Sequence, residues 1–122
     1  MTEKIILIID DQAPMVKILA DIFKKENYKI ATASNGLFGI RKAIEVSPDL
    51  IIMDVMMPVK NGIDAILELR EMDQFKKTPI IVLTAKGGLN DIHTAFEAGA
   101  NSFLPKPFSP GDVLLEVKKY LQ

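Results

Sequence analysis

The fold of this chain is decided at residues 4–11, which read KIILIIDD. Five apolar residues follow one another without a polar interruption, and two aspartates come directly after them. A short run of this composition is typical of a β-strand that is buried on both faces of a sheet. Similar runs occur at residues 28–33, 50–53, 79–83 and 102–104. The run at 28–33 is the least apolar of them, which predicts an edge strand.

Amphipathic stretches separate these runs, with apolar residues at the three- and four-residue spacing of a helix face. The five predicted faces are Met15, Ile18, Leu19, Ile22 and Phe23; Leu37, Ile40, Ala43 and Ile44; Ile63, Ile66 and Leu67; Ile92, Ala95 and Phe96; and Val113, Leu114, Val117 and Leu121. Pro14 suits the first turn of the first helix, and Gly99 suits a left-handed residue at the end of the fourth. Five alternating strands and helices predict an α/β fold, a parallel sheet with helices on both faces.

Length and composition limit the classes of function. The chain has 122 residues, which predicts a single domain over 1–122, and no internal repeat or linker is visible. The net charge of −1 provides no basic surface, so direct binding to nucleic acid is not expected. Cysteine is absent, which excludes disulfides and thiol chemistry. No apolar run is long enough for a membrane span or a signal peptide, so a cytoplasmic location and no membrane insertion are expected.

Charged and hydroxyl side chains follow the predicted strands. Asp10 and Asp11 follow the first strand, Asp54 the third and Thr84 the fourth, and the fifth runs into Lys106. The carboxyl ends of parallel strands share one edge of the sheet, where ligands bind in such folds. Three carboxylates at one edge repel one another unless a cation is present, and their hard oxygens suit Mg²⁺. With Mg²⁺ and Lys106 the charges balance, and a carboxylate there can act as a nucleophile toward phosphorus.

Four separated motifs carry a resemblance to a known family. They are Asp10-Asp11, the run DVMMP at residues 54–58 with Gly62 after it, Thr84-Ala85, and Lys106-Pro107-Phe108. Together, in this order, they resemble the response-regulator receiver domain of two-component signalling, and the resemblance covers residues 4–121. It implies a doubly wound (βα)5 fold with the flavodoxin-like strand order 2-1-3-4-5.

The resemblance also implies the roles of the acidic residues. Asp54 is expected to be the phosphoacceptor. Asp11 and Asp54 are expected to bind Mg²⁺ directly, and Asp10 mainly through water. The backbone carbonyl of Met56 is expected to be a further ligand of the metal.

A second group of residues is implied to respond to phosphorylation. Lys106 is expected to contact the phosphoryl group, and the Lys106–Pro107 bond is expected to be cis. Thr84 is expected to donate its hydroxyl to a phosphoryl oxygen. Phe103 stands at the aromatic switch position of the family and is expected to rotate inward when Thr84 moves.

The resemblance further implies the partners. A sensor histidine kinase or a phosphotransfer protein would supply the phosphoryl group, and a downstream protein target would bind the fourth helix, fifth strand and fifth helix. The solvent side of that face is expected to present Leu89, His93, Lys118 and Lys119. No output domain follows Gln122, so a stand-alone, non-enzymatic receiver is expected, unless the chain is an excised domain. A phosphorylation-dependent dimer stays open.

Other interpretations of the same residues stay open at this point. A small hydrolase or phosphotransferase with an Asp nucleophile is disfavoured, because the sequence shows no substrate pocket or cap domain. A flavin carrier is disfavoured, because Asp10 and Asp11 stand where a phosphate loop is needed. A receiver that signals without phosphorylation is disfavoured, because every expected site residue is present. Taken without the other motifs, Asp10 and Asp11 are also compatible with an N-terminal cap of the first helix, and Phe103 is compatible with an ordinary core residue.

Overall fold

The computed structural model of the protein describes residues 3–55, 57, 60–84 and 89–121. Strands and helices alternate along it, as the sequence pattern predicts. In chain order the elements are β1 (Ile5–Ile9), α1 (Ala13–Lys24), β2 (Lys29–Ala33), α2 (Gly36–Val46), β3 (Leu50–Asp54), α3 (Gly62–Glu71), a 3-10 turn (Asp73–Phe75), β4 (Ile80–Thr84), α4 (Leu89–Ala98), β5 (Ser102–Pro105) and α5 (Pro110–Leu121). None of the described helices combines the length and the apolar character needed to span a membrane.

The five strands form one parallel sheet in the order β2-β1-β3-β4-β5. This confirms the doubly wound α/β fold and the strand order that the resemblance implies. β1 lies between β2 and β3, with Ile9 of β1 beside Met53 of β3. The strand order therefore reverses at β1, and the carboxyl ends of β1 and β3 are neighbours there.

Alternate residues of the central strands belong to two apolar layers, one on each face of the sheet. On one face of the sheet, residues such as Leu7 and Ile51 pack with α2, α3 and α4. On the other face, residues such as Ile8 and Ile52 pack with α1 and α5. β3 and β4 are buried along their whole length, whereas β2 is only partly buried. β2 is thus the edge strand that its weaker apolar character predicts.

The predicted helix faces are partly wrong. Four of their residues are about half exposed, at 42–51% of their surface: Ile18, Ile44, Leu67 and Phe96. The buried residues of α2 are Gly36, Gly39, Ile40 and Ala43, so the two glycines are the ones that the predicted face lacks. A Cβ at Gly39 would lie 2.5 Å from Cδ1 of Ile9, so α2 approaches the sheet closely there, and any larger residue would have to displace the Ile9 side chain. The spacing of apolar residues alone does not show where glycines form part of a buried helix face.

The helix ends have local causes. Asn35 and Asn61 cap α2 and α3, and their side-chain oxygens accept bonds from the backbone N–H groups of Phe38 and Asp64. Gly99 ends α4 with φ +125°, a conformation that favours glycine, as predicted. The N-cap of α1 is Gln12, and its side chain makes no capping bond.

Candidate functional site

The carboxyl edge of the sheet brings together the residues that follow the strands. Asp10 leaves β1, Asp54 ends β3, Thr84 ends β4, and Lys106 follows β5. The neighbouring positions of β1, β3, β4 and β5 in the sheet put them at one edge. Backbone bonds continue the sheet at this edge, since Lys106 N–H donates to the Thr84 carbonyl at 2.7 Å. The edge is where doubly wound sheets bind their ligands.

Three carboxylates form a cluster at this edge. Oxygen atoms of Asp10, Asp11 and Asp54 all lie within 4.8 Å of one another. Asp10 and Asp54 are buried, and Asp11 is exposed. Asp10 is also occupied on both oxygens: Oδ1 accepts from the backbone N–H of Gln12 at 2.9 Å, and Oδ2 accepts from Lys106 Nζ at 3.4 Å. Asp11 is therefore the most accessible carboxylate of the three.

Lys106 supplies a positive charge to the cluster. Its Nζ lies 3.4 Å from Asp10 Oδ2 and 3.7 Å from Asp54 Oδ2. The peptide bond between Lys106 and Pro107 is cis. Three carboxylates and one ammonium leave a charge of −2, which a divalent cation balances. The hard oxygen donors fit Mg²⁺ better than a softer metal.

The structure adds one residue that the sequence analysis missed. Gln12 Oε1 accepts from Lys106 Nζ at 3.4 Å, so the Gln12 side chain belongs to the surroundings of the ammonium. The only sequence signal for Gln12 is its place directly after Asp10 and Asp11.

The two residues of the expected switch lie on the neighbouring strands β4 and β5. Thr84 is buried at the end of β4 and pairs in register with Pro105 of β5. Phe103 is 37% exposed, and its ring meets the ring of Phe96 edge to face, with centroids 6.2 Å apart. In this structure Phe103 therefore packs on the outer side of the sheet edge, against α4.

The ionisable residues that the sequence predicts on α4 and α5, His93, Lys118 and Lys119, each lie close to a carboxylate. His93 is exposed and lies 3.2 Å from Glu97 of the next turn. Lys118 pairs with Glu26, in the turn after α1, at 2.8 Å, and this bond raises the pKa of Lys118. Lys119 lies 3.0 Å from Glu116, which also accepts the Ser102 hydroxyl, and that hydroxyl bond lowers the pKa of Glu116.

Several residues singled out in the sequence lie outside the described part of the chain. They are Met56, Pro58, Ala85 and the side chain of Leu89. The metal role expected of the Met56 carbonyl therefore stays a prediction.

An open groove of about 580 Å³ adjoins the acidic cluster beyond β1 and β2. Asp10 and Asp11 line it, and Val16 and Phe38 contribute apolar surface from α1 and α2. No sequence pattern indicates this groove, and one of its lining residues, Phe38 of α2, is about half exposed.

The backbone of Asp54 is fixed by Gly62 at the start of α3. Gly62 N–H donates to the Val55 carbonyl at 2.9 Å, and a Cβ on Gly62 would lie 2.3 Å from the Asp54 carbonyl oxygen. Because the obstacle is backbone, we expect Gly62→Ala to lower the free energy of unfolding by about 2 kcal/mol. Urea denaturation measures the change.

Gly111, in the first turn of α5, provides the matched control. A Cβ there would meet nothing closer than 3.9 Å, so Gly111→Ala is expected to leave stability unchanged or slightly higher. Equal stability of the two variants would contradict the close approach of α3 to Asp54.

Comparisons with known proteins give one consistent family. The sequence profile described as "Response regulator receiver domain" matches residues 6–118. The transcriptional regulatory protein ResD of Bacillus subtilis is 44% identical over 117 residues, which are 96% of this chain and 48% of ResD. The chain thus spans about half the length of the curated relatives it matches.

Solved structures agree with the fold. The chemotaxis response regulator CheY4 of Vibrio cholerae superimposes with a TM-score of 0.92 at 29% identity, over 98% of this chain and 99% of that chain. The receiver domain of the sensor histidine kinase PA1611 of Pseudomonas aeruginosa superimposes with a TM-score of 0.91 at 26% identity, over 98% of both chains. That structure has a magnesium ion coordinated in its active site cleft.

Proposed function

Because this chain belongs to the response regulator receiver domain family, we propose that Asp54 accepts a phosphoryl group from a histidine kinase or a phosphotransfer protein. Receiver domains are signalling modules of two-component systems, and their sites bind Mg²⁺. One observation carries the proposal for Asp54: its buried carboxylate lies within 4.8 Å of two others and 3.7 Å from the Lys106 ammonium. A nucleophile, a cationic neighbour and an uncompensated negative charge therefore occur together at this site.

The proposed transfer converts one phosphoryl bond into another. A carboxylate oxygen of Asp54 forms a bond to phosphorus as the P–N bond of a phosphohistidine breaks. The electron pair of the P–N bond stays on the ring nitrogen, and the donor leaves as neutral imidazole when its other ring nitrogen is protonated. The product on Asp54 is an acyl phosphate. Lys106 lies where its charge offsets the negative charge of the transferring phosphoryl oxygens.

The donor set supports Mg²⁺ as the cofactor of this chain. In the proposal, Asp11 and Asp54 hold the ion directly, and Asp10 acts through water because the Gln12 N–H and Lys106 already occupy its two oxygens. The backbone carbonyl of Met56 is a further proposed ligand, from sequence alone. When bound, Mg²⁺ stabilises negative charge on phosphoryl oxygens as a Lewis acid.

Small-molecule labelling tests the proposal. Acetyl phosphate with Mg²⁺ is expected to add one phosphoryl group, about 80 Da by intact mass, and omission of Mg²⁺ is expected to abolish the addition. Reduction with borohydride followed by peptide mass spectrometry locates the acyl phosphate, which is expected on Asp54. Labelling at another residue would overturn the assignment. Continuous turnover of an external phosphoester without a stable adduct would favour the hydrolase alternative.

We further propose that phosphorylation changes the face made by α4, β5 and α5, to which a downstream protein target binds. Thr84 is buried at the site, and β5 lies beside β4, so movement of Thr84 reaches Phe103 through adjacent strands. Phe103 has no polar atom to leave unpaired, so its inward burial is inexpensive. The half-exposed pair Phe96 and Phe103 then separates, which alters the apolar centre of this face.

Thr84→Ala is expected to disconnect the face from the site. Beryllofluoride with Mg²⁺, used as a phosphoryl mimic, should shift backbone amide resonances near Asp54 and across α4 and β5 in the wild type. In Thr84→Ala the shifts near Asp54 should persist, and those at residues 92–105 should shrink severalfold, because couplings of this kind are typically 5–150-fold in equilibrium terms. Heteronuclear NMR measures both regions in one spectrum.

Two variants serve as controls for Thr84→Ala. Thr84→Ser keeps the hydroxyl and should restore the distant shifts. Thr32→Ala removes an exposed threonine from β2 and should change neither region. Undiminished shifts across α4 and β5 in Thr84→Ala would show that the hydroxyl does not connect Asp54 to this face.

A further inference from the structure

Among the residues that the structure describes, three oxygen atoms lie close to the Lys106 ammonium, and one of them carries no charge. Its Nζ lies 3.4 Å from Asp10 Oδ2, 3.7 Å from Asp54 Oδ2 and 3.4 Å from Gln12 Oε1. Asp10 Oδ2 and Gln12 Oε1 lie within hydrogen-bond distance and help to direct the ammonium, whereas Asp54 is an ion-pair partner at a longer distance. Gln12 is the neutral acceptor.

We propose that Gln12 is a positioning residue for Lys106, holding the ammonium beside Asp54 for phosphoryl transfer. The proposal rests on the proposed function, in which Asp54 accepts the phosphoryl group. Lysine has a long side chain with costly rotamer freedom, so an additional acceptor at its tip reduces the entropy lost when the ammonium meets the phosphoryl oxygens.

The neutrality of the Gln12 amide matters for the charge available to the phosphoryl group. Asp10 already provides Lys106 with a carboxylate, and a second dedicated carboxylate would compensate the ammonium further. A glutamate at position 12 would also add negative charge where an anionic donor must approach. The amide oxygen directs the ammonium while leaving its charge to the incoming phosphoryl oxygens.

In the described part of the chain, the Gln12 side chain makes no other hydrogen bond that would stabilise the fold. Its backbone carbonyl accepts from Met15 and Val16 N–H to start α1, and its backbone N–H donates to Asp10. These backbone bonds survive a change of side chain. The side chain is exposed and makes no capping bond, so a substitution at Gln12 removes the Lys106 contact selectively.

Gln12→Met is the direct test, because methionine keeps the length and removes the strong acceptor. We expect phosphorylation by acetyl phosphate with Mg²⁺ to become about three- to tenfold slower, the effect of one hydrogen bond to a charged group in a partly exposed place. Intact mass against time gives the rate. Gln74→Met, at an exposed glutamine of the 3-10 turn at the opposite edge of the sheet, is the matched control and should label at the wild-type rate.

A double-mutant cycle identifies the route of the effect. In a Lys106→Met background, Gln12→Met is expected to change nothing further, because the contact is already lost. Affinity for beryllofluoride with Mg²⁺, followed by fluorine NMR, provides the same cycle where transfer is too slow to time. Gln12→Glu is expected to be slower than wild type, since the added negative charge opposes the anionic donor.

The outcomes distinguish a failure of the proposed function from a failure of the role of Gln12. Absence of any adduct on the wild type would overturn both the proposed function and the role of Gln12. A labelled wild type with an equally fast Gln12→Met would overturn the role of Gln12 alone. A Gln12→Met effect that persists in the Lys106→Met background, or a Gln12→Glu variant faster than wild type, would overturn positioning through Lys106 by a neutral acceptor.

Discussion

Asp54→Asn is expected to take up no phosphoryl group from acetyl phosphate, while the wild type gains about 80 Da under the same conditions. The amide that replaces the carboxylate keeps the shape of the side chain but is far less nucleophilic. The remaining cluster still contains Asp10, Asp11 and Lys106, so loss of labelling cannot be ascribed to loss of the whole site. Intact mass spectrometry over a time course measures the loss, which should exceed a hundredfold in rate.

The stability of Asp54→Asn separates a chemical effect from a folding defect. The substitution removes one of three clustered negative charges, so the variant is expected to be at least as stable as the wild type in urea. Asp64→Asn, which changes an exposed carboxylate in the first turn of α3, should label normally. An Asp54→Asn protein that labels at the wild-type rate would move the phosphoacceptor to another residue.

The positions of the strands were accessible from sequence because the central strands are buried on both faces. Each predicted strand agrees with the observed one to within one residue at either end. A fully buried strand shows itself as an uninterrupted apolar run, and its end is marked by the first charged or hydroxyl residue. The strand order came from the family resemblance, since apolar runs alone do not specify which strands are neighbours.

The location of the site could be predicted from the sequence for a related reason. Parallel strands bring all their carboxyl ends to one edge, so Asp10, Asp54 and Lys106 could be placed together without any knowledge of distances. Their individual environments could not be predicted in this way. The occupation of both Asp10 oxygens and the contact between Gln12 and Lys106 depend on side-chain directions that no sequence pattern records.

Helix faces and long-range side-chain bonds were the least predictable features. The buried side of α2 includes Gly36 and Gly39 beside the predicted Ile40 and Ala43, and apolar spacing does not identify buried glycines. The contacts of Arg70 were even less predictable, because an arginine near the end of a predicted helix is typical of a solvated surface position. In the structure it instead connects α3 to three separate segments of the chain.

Arg70 binds these segments with every N–H direction of its guanidinium. Nε and Nη2 donate to the Gly99 carbonyl at 3.0 and 2.8 Å, and Nη2 also donates to Asn101 Oδ1 at 2.8 Å. Nη1 donates to the carbonyls of Phe75 and Thr78. Partial burial lowers the pKa of Arg70, and the carbonyl oxygens compensate the loss of water. The end of α3, the 3-10 turn, the entry to β4 and the α4–β5 connection are thereby held by one side chain.

Removal of this side chain is expected to destabilise the fold strongly. Arg70→Met keeps an apolar stem but leaves the carbonyls of Gly99, Phe75 and Thr78 without their charged donor. Since an unsatisfied, partly buried acceptor costs about 1 kcal/mol or more, the free energy of unfolding should fall by about 3 kcal/mol. For a domain of this size the melting temperature should fall by about 10 °C. Thermal and urea denaturation measure the two quantities independently.

Two further variants show whether the forked geometry of the guanidinium, and not its charge alone, causes the loss of stability. Arg70→Lys keeps the positive charge but cannot supply five directed donors, so it should recover only a small part of the loss. Arg41→Met, at an exposed arginine of α2, is the matched control and should change stability by less than about 0.5 kcal/mol. If Arg70→Met were as stable as Arg41→Met, or if Arg70→Lys restored wild-type stability, the bonds to Gly99 and its neighbours would not hold this edge of the fold. The expected order of stability is wild type and Arg41→Met first, then Arg70→Lys, and last Arg70→Met, because the two replacements of Arg70 remove directed donors from carbonyls that water reaches poorly.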